Sequence, residues 1–409
     1  MTNAQQPMSY PMTYDLVPAS EVFQRISRLQ RELAAISLSG TMILDGVNMF
    51  YYTGTIQNGV LFVPAEGEPV LFIRRSFERA QEETPLKTLV RLRGLGELPG
   101  WLQTHGYQIA RVGLNEATLP VSIFRRISGI FPQTVFEDMS LTLSMIRSVK
   151  SDYEVGLIRE AGKRHKLLYD DIPGMIREGI TEWDLGSAIH AKMLKLGYTG
   201  MPRLATFNSE FFAGVISFGE SGNYPTASVG PGGSVGLCPA FPFLGGARRL
   251  KKGDIIFADT GFAYGGYFTD KTRIFALGRP HESAVDVHKI CLDIQEAVRC
   301  RLIPGAVPSE IFEEVYRTEI VARDFEENFM GYGSNQVPFL GHGIGLVIDE
   351  FPAIARKIDV PLEKNMVLAV EPKKGLKDTG LVGVENTFLV TAQGGEKLTP
   401  GSDEITVIT

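Results

Sequence analysis

Two aspartates flank a glycine-rich segment in the second half of the chain. Asp259 ends the apolar run at residues 255–258, and Asp270 follows the aromatic pair at residues 267–268. The glycines within residues 261–266 are typical of a hairpin turn, so the flanking strands should fold back and bring both carboxylates together. A carboxylate that ends an apolar strand is costly unless it is paired or bound to a metal ion. Either aspartate alone would be interpreted as a turn or capping residue, but the pair favours a functional site.

A histidine between glycines and two glutamates complete the candidate set. His342 lies in the sequence Gly-His-Gly-Ile-Gly-Leu at residues 341–346, where the glycines leave the imidazole accessible. A lone histidine is more often structural, but glycines are a poor choice for a buried core, so a ligand role is favoured. Glu371 ends the apolar run at residues 366–370, and Glu385 lies in a later apolar strand, where an apolar side chain is expected. The alternative for both glutamates is an ordinary carboxylate at a strand edge.

Four carboxylates and one imidazole favour a particular class of metal. Oxygen ligands with a single nitrogen suit Mn²⁺, Co²⁺, Fe²⁺ or Zn²⁺ rather than a thiolate-bound structural zinc. Because four carboxylates around one ion would leave excess negative charge, we expect two divalent metal ions, Mn²⁺ or Co²⁺ first and Fe²⁺ or Zn²⁺ as alternatives. Two dications roughly 3–4 Å apart lower the pKa of a bridging water, which can then attack a carbonyl. A glutamate can carry the proton of that water.

Composition excludes several other classes of function. The 409 residues carry a net charge of -6 and no concentrated basic block, which argues against a nucleic-acid partner. No segment approaches the roughly 20 apolar residues that span a bilayer, and the polar N-terminus does not resemble a secretory signal. The three cysteines lack metal-binding spacing, which suits a reducing compartment. We therefore expect a cytoplasmic protein without membrane or nucleic-acid partners.

The first 115 or so residues alternate between helical and strand patterns. Helices are predicted over residues 21–36 and 97–105. Strands are predicted at residues 40–44, 49–52, 59–63, 69–73, 89–92 and 110–113. This alternation is typical of an α/β layer domain.

The pattern changes near residue 150. Residues 151–195 are almost wholly helical in pattern, with Ser151 or Asp152 capping one helix and Thr181 the next. A Gly- and Pro-rich stretch at residues 200–250 follows, and so long a loop inside a domain is usually functional. Further strands are predicted at residues 254–259, 267–275, 366–370 and 384–390, and helices at residues 284–302 and 309–325.

The order of the candidate ligands resembles that of a known family. Asp259, Asp270, His342, Glu371 and Glu385 are similar to the ligand series of the pita-bread metallopeptidases, and the match is best to the Xaa-Pro dipeptidase (prolidase) and aminopeptidase P branch. The resemblance implies that Asp259 and Asp270 hold one metal ion, that His342 and Glu371 hold the other, and that Asp270 and Glu385 bridge the two. It also implies that Glu371 carries the proton and that His342 takes part in catalysis.

Two other segments extend the resemblance to nearly the whole chain. Residues 48–54 are similar to a signature of the creatinase-type N-terminal domain, and residues 145–151 to the hinge before the catalytic domain. The resemblance implies an α+β chain with a flexible arm at residues 1–14, a smaller α/β creatinase-like domain at residues 15–146 and a pita-bread catalytic domain at residues 147–409. It further implies a homodimer acting on a small peptide or another small molecule.

Several positions depart from the family. The family's two active-site histidines are absent, since no histidine lies between His190 and His281 and the second position holds Asp349, a candidate substrate-binding residue. Ala353, Gly383 and Asn386 also stand where the family has charged side chains. Lys373 and Lys374 follow Glu371 and are interpreted as solvated lysines, with replacement cations as the alternative.

These departures leave three functions open. One is a metal-dependent Xaa-Pro dipeptidase or aminopeptidase with altered support for the oxyanion, which needs a hydrogen-bond donor. Another is an enzyme of the same fold acting on a non-peptide small molecule, of the lyase or amidinohydrolase type. The last is a non-catalytic binding protein, which the complete ligand set disfavours.

Overall fold

A computed structural model describes residues 14–201, 203–207, 209–210, 212–226 and 230–409. Apart from Tyr14, the predicted N-terminal arm lies outside these residues. The chain divides between Ile146 and Arg147 into two compact units, each of which contains both helices and sheet. Within the described ranges, no helix combines the length and the apolar character needed to cross a bilayer.

The first unit is built on a six-stranded mixed sheet. Its strands are β1 (Gly40–Ile43), β2 (Gly59–Pro64), β3 (Val70–Ile73), β4 (Thr88–Arg91), β5 (Arg111–Leu114) and β6 (Val135–Asp138). Their order across the sheet is β4-β3-β2-β1-β5-β6. The helices are α1 (Ala19–Ala35), α2 (Gly46–Thr53), α3 (Phe77–Glu83), α4 (Leu98–Thr104), α5 (Val121–Ile130) and α6 (Ser140–Ser148), the last of which crosses the division into the second unit. The α/β layer expected from the sequence is confirmed.

The predicted strand at residues 49–52 is wrong, because these residues lie in helix α2. Asp45 caps this helix by accepting a hydrogen bond from Asn48 N at 2.9 Å. Gly54, with a φ of 76°, ends the helix in the left-handed conformation. A good cap at each end stabilises a short helix and outweighs the preference of aromatic residues for strands.

The second unit begins with two helices on one small sheet. These helices are α7 (Asp152–Asp171) and α8 (Glu182–Lys195), and both predicted caps are confirmed, since Ser151 and Thr181 each form a capping box. They pack on strands β7 (Gly214–Phe218), β8 (Ile255–Tyr264) and β9 (Tyr267–Leu277) through a shared apolar core.

The rest of the second unit packs a second pair of helices on further strands. Helix α9 (Glu282–Arg301) agrees with its predicted range, whereas α10 (Pro308–Val315) is shorter than predicted and continues as a wider π-helical turn at Tyr316–Ile320. The strands are β10 (Phe339–Gly343), β11 (Glu350–Ala355), β12 (Val367–Val370), β13 (Lys373–Leu376), β14 (Gly380–Gly383), β15 (Asn386–Thr391), β16 (Gly394–Lys397) and β17 (Thr406–Ile408).

Three sheets of the second unit enclose the candidate site. Their strand orders are β11-β10-β12-β15-β16, β13-β14 and β17-β9-β8-β7. Thr272 of β9 and Glu385 form an isolated antiparallel bridge, which connects the β8–β9 hairpin to the residues that lead into β15. The candidate ligands therefore meet where these sheets come together.

Candidate active site and metal centre

The β8–β9 hairpin places the two aspartates on one face. Asp259 pairs with Thr272, and Asp270 pairs with Gly261. Facing residues of an antiparallel pair lie on the same side of the sheet, as do residues two apart along a strand, so both carboxylates project from one face. The turn itself is shorter than predicted and consists of Gly265 and Gly266 alone, both with positive φ.

The remaining three candidates enter from the neighbouring strands. His342 of β10 pairs with Ala369 of β12, so Glu371, two residues further along, lies on the same side. His342 Nε2 is 3.4 Å from Glu371 Oε1. Thr272 Oγ1 donates a 2.8 Å hydrogen bond to Glu385 Oε2. One cavity of about 240 Å³ is lined by all five candidate residues, together with Asp349.

The glycines beside His342 are required by close packing of strands. A Cβ at Gly341 would lie 2.2 Å from the carbonyl oxygen of Ala369, and one at Gly343 would lie 2.4 Å from that of Phe351. Side chains at these positions would push β10 away from its neighbours. The glycines thus let β10 approach both neighbouring strands while His342 faces the cavity.

Asp349 lines the cavity, but its carboxylate is occupied by the loop at residues 203–207. Ala205 N donates to Asp349 Oδ1 at 2.6 Å, and Thr206 Oγ1 lies 3.5 Å from Oδ2. Burial raises the pKa of Asp349, and the hydrogen bond from Ala205 N opposes this shift. Leu204 and Thr206 also line the cavity, so part of the long loop predicted to be functional does reach the site.

Lys373 is the residue at the site that the sequence analysis named only as an alternative cation. Its side chain is fully buried, so its interpretation as a solvated lysine is wrong. Its Nζ donates hydrogen bonds to Asp259 Oδ2 at 2.9 Å, Glu371 Oε2 at 2.7 Å and Glu385 Oε2 at 2.8 Å. One signal was available, because Lys373 follows Glu371 by two residues and an extended chain points both side chains to the same face.

Lys374 is the contrasting neighbour on the same strand. It points away from the acidic cluster, and its Nζ donates to the backbone oxygens of Phe325, at 3.0 Å, and of Glu327. The same ammonium lies 4.5 Å from the centroid of the Phe325 ring. Adjacent lysines on strand β13 thus differ completely in their surroundings.

The carboxylates alter one another's ionisation. Removal from water raises the pKa of Asp259 to about 6, with Lys373 opposing and Glu385 adding to the shift. Burial and the neighbouring carboxylates raise the pKa of Asp270 well above its usual value. Burial also acts to raise the pKa of Glu371, but Lys373 and His342 lower it overall. The crowding of these buried carboxylates therefore favours the binding of a positive charge, whether a proton, an ammonium or a metal ion.

Burial acts in the opposite direction on the pKa of the His342 imidazole and of the Lys373 ammonium, and the carboxylates outweigh it. Burial alone would lower the pKa of His342, but the hydrogen bond with Glu371 and the charge of the carboxylates raise it to about 10. Burial likewise opposes the charge of Lys373, but Asp259, Glu371 and Glu385 raise its pKa well above the usual value.

Three of the five candidates fit a single divalent ion. Ligand atoms of Asp270, His342 and Glu385 all lie within 4.8 Å of one another. Glu385 Oε1 is buried and has no hydrogen-bond partner among the described residues. His342 Nδ1 lies 3.0 Å from the carbonyl oxygen of Gly343, so Nε2, which lies 3.4 Å from Glu371 Oε1, is the nitrogen that would hold an ion. A carboxylate pair with an imidazole suits Mn²⁺, Co²⁺, Fe²⁺ or Zn²⁺.

A second dication does not fit the side chains in this arrangement. An ion bound by Asp259 would share that carboxylate with the Lys373 ammonium, which also holds Glu371 and Glu385. Two positive groups within a few ångströms repel strongly in a site with little water. The expected pair of metal ions therefore conflicts with Lys373.

Each of the two units matches a known protein domain family of its own. Residues 156–392 match metallopeptidase family M24, and residues 25–149 match the creatinase/prolidase N-terminal domain. An Xaa-Pro dipeptidase of Pyrococcus furiosus is 25% identical over 391 residues, which cover 93% of this chain and 99% of the relative.

Solved structures share the fold. An Xaa-Pro dipeptidase from Bacillus anthracis superposes with a TM-score of 0.78 at 23% identity, covering 94% of this chain and 99% of that one. An X-Pro aminopeptidase from Thermotoga maritima gives a TM-score of 0.77 at 24% identity, again covering 94% and 99%. The expected creatinase-type domain followed by a pita-bread domain is confirmed.

Enzymes of this family use divalent metal ions, in agreement with the acidic cavity. Since the family match alone spans more than half of the chain, this protein belongs to metallopeptidase family M24 and is a metallopeptidase-like hydrolase.

Proposed function

We propose that the chain hydrolyses the amide bond of a small substrate in the cavity lined by Asp259, Asp270, His342, Glu371 and Glu385, with Xaa-Pro dipeptides as the first substrate class. The observation that carries the proposal is the convergence of these five side chains on one cavity. A volume of about 240 Å³ favours a compact substrate, since ligand pockets typically measure roughly 300–1,000 Å³. The similarity to Xaa-Pro dipeptidases supports the choice of a dipeptide.

Glu371 is the proposed proton carrier. Lys373 and His342 hold its carboxylate in the ionised form, so it can accept a proton from water as the water oxygen attacks the substrate carbonyl. The same proton then passes to the departing nitrogen as the carbon–nitrogen bond breaks, which leaves a carboxylic acid and an amine. A dication held by Asp270, His342 and Glu385 would polarise water or the carbonyl when bound.

Asp349 is proposed to act on substrate binding through the loop. Its carboxylate holds Ala205 and Thr206 beside the cavity and has little capacity left for a direct contact with a substrate. Mn²⁺ or Co²⁺ as the bound ion, a homodimer and a cytoplasmic location are further parts of the proposal. Metal analysis, light scattering and cell fractionation test these parts in turn.

A second candidate is an enzyme for a non-peptide amide or a related small molecule. It is favoured by the cavity lining, in which His342 is the only histidine, lysine or arginine among the described lining residues. Such a lining offers an oxyanion fewer hydrogen-bond donors than a lining that also carried the two active-site histidines of the Xaa-Pro peptidase family.

A substrate panel tests the proposal. Purified protein is incubated with Mn²⁺, Co²⁺, Fe²⁺ or Zn²⁺, or with a chelator, and offered Xaa-Pro dipeptides, other dipeptides and small non-peptide amides, with products followed by mass spectrometry. Release of proline from the first group, and its loss in Glu371→Gln, would support the proposal. Conversion of a non-peptide amide alone would replace the first candidate by the second. Intact metal binding with no conversion in any group would favour a binding protein.

A further inference from the structure

We propose that the Lys373 ammonium permanently takes the place of one of the two dications, so that the centre binds a single divalent ion at Asp270, His342 and Glu385. This inference concerns the centre on which the proposed function rests. It predicts a metal content rather than a substrate, so the two proposals can fail separately.

All three hydrogen-bond donors of the Lys373 ammonium are used within the acidic cluster. An ammonium has three N–H donors, and here each finds one carboxylate at 2.7–2.9 Å. The acceptors come from three separate places in the fold: Asp259 from β8, Glu371 from just after β12 and Glu385 from just before β15. A cation that joins three such segments does what a bound metal ion does for its ligands.

The fold makes room for the side chain of Lys373. Lys373 pairs with Gly383 across the β13–β14 ladder. A Cβ at Gly383 would lie 2.7 Å from Lys373 Cγ and 2.4 Å from the carbonyl oxygen of Pro372. The Phe257 ring, whose centroid is 5.6 Å from Nζ, borders the ammonium. The packing of the strands thus leaves a defined space for the lysine side chain, which is not a flexible surface group that has folded inward.

The balance of charge at the centre also favours a single dication beside Lys373. An ammonium and one dication bring three positive charges to the four carboxylates of Asp259, Asp270, Glu371 and Glu385. An ammonium and two dications would bring five and would place like charges at neighbouring ligands. The unpartnered Glu385 Oε1 and the three ligand atoms within 4.8 Å mark where the single dication would bind.

Metal stoichiometry tests the inference. Wild type, Lys373→Met and Lys374→Met are stripped with a chelator and titrated with Mn²⁺ by calorimetry, and the metal retained after gel filtration is measured by mass spectrometry. Lys374→Met is the matched control, because it removes a lysine of the same strand that points away from the carboxylates. We expect one ion per chain in wild type and in the control, and two in Lys373→Met.

Several outcomes would overturn the inference. Two ions per wild-type chain would show that the ammonium moves aside, no ion in wild type would remove the single-dication site, and one ion in a folded Lys373→Met would show that the lysine is not a substitute. If Lys373→Met does not fold without metal, Lys373→Arg keeps the charge and should still bind one ion. The wild-type stoichiometry decides in either case.

Discussion

Lys373 stands directly opposite Gly383 in the β13–β14 ladder, and the absence of a side chain at Gly383 leaves the space through which the lysine passes. A two-stranded sheet at the edge of the cavity therefore delivers a cation into an acidic cluster. Because of this pairing, a buried lysine at position 373 requires a glycine at position 383.

Substitution of that glycine should be destabilising. In Gly383→Ala the new methyl group would lie 2.4 Å from the Pro372 carbonyl oxygen and 2.6 Å from Lys373 Cα, so the backbone must shift. We expect a loss of about 1–3 kcal/mol in the free energy of unfolding, measured in urea. Gly156→Ala is the control, because Gly156 lies on an exposed face of α7 with no atom within 4 Å of an added Cβ. That variant should be about 0.5–1 kcal/mol more stable, and equal effects at both positions would contradict the close pairing.

Removal of the carboxylate of Glu371 should abolish most turnover. Glu371→Gln keeps the size of the side chain but cannot accept a proton, so kcat should fall about 10²–10⁴-fold on whichever substrate the panel identifies. Glu396→Gln is a suitable control, since Glu396 pairs with Arg159 in a half-exposed ion pair of the same unit. Wild-type rates in Glu371→Gln, with the fold verified by circular dichroism, would rule out the assigned role.

The buried ion pairs of Glu350 predict a specific acid sensitivity. Burial alone would raise the pKa of Glu350, but Lys150 and Arg147 lower it below its usual value. The folded state therefore binds its proton more weakly than the unfolded state, whose glutamate titrates near about pH 4.3. The stability from these pairs is present above that pH and is lost as the pH falls through the folded pKa.

Glu350→Gln tests this sensitivity. The variant should be about 3 kcal/mol less stable at pH 7, because it removes the negative charge that two buried cations face. It should also lose less stability than wild type between pH 5 and pH 3. Glu396→Gln again serves as the exposed comparison and should change little at pH 7, because solvent screens that pair. A steep acid limb preserved in Glu350→Gln would assign the sensitivity to other groups.

The link between Asp349 and the loop should be visible by limited proteolysis. Asp349→Ala removes the acceptor for the hydrogen bond from Ala205 N. The closed form of the loop at residues 203–207 should lose about 1–2 kcal/mol of stability, so the open form should become on the order of tenfold more populated. Chymotrypsin cleavage after Phe207, which is 88% exposed, should then be faster. Asp349→Asn keeps an acceptor oxygen and should lie between wild type and Asp349→Ala. Cleavage rates that do not differ would show that this contact does not hold the loop.

The sequence predicted the ligand pairs better than it predicted their surroundings. Asp259 and Asp270 could be paired because a glycine turn between two apolar runs defines a hairpin from local residues alone. Residues 49–52 were misassigned because aromatic side chains suggested a strand, whereas the helix depends on caps at Asp45 and Gly54. The environment of Asp349 depends on a loop more than a hundred residues away, which no local pattern reveals.

The surroundings of Lys373 were the hardest to predict from local sequence patterns. Strands β13 and β14 are four residues each and rich in lysine or glycine, so they carry little of the apolar alternation that identifies a strand. Lys373 and Lys374 are indistinguishable in type and adjacent in the chain. Their different surroundings follow from the alternation of side chains along an extended strand. Which of the two lysines faces the carboxylates is decided only when the neighbouring sheets are in place.

The three bonds of Lys373 also bear on how the protein matures. Asp259 is synthesised more than a hundred residues before Lys373 and Glu385, so the acidic groups meet their ammonium only when the chain folds. A counterion encoded in the polypeptide travels with them and does not depend on the supply of metal in the cell. The protein should therefore reach its native structure under metal starvation and acquire its single ion afterwards, as a late step of assembly.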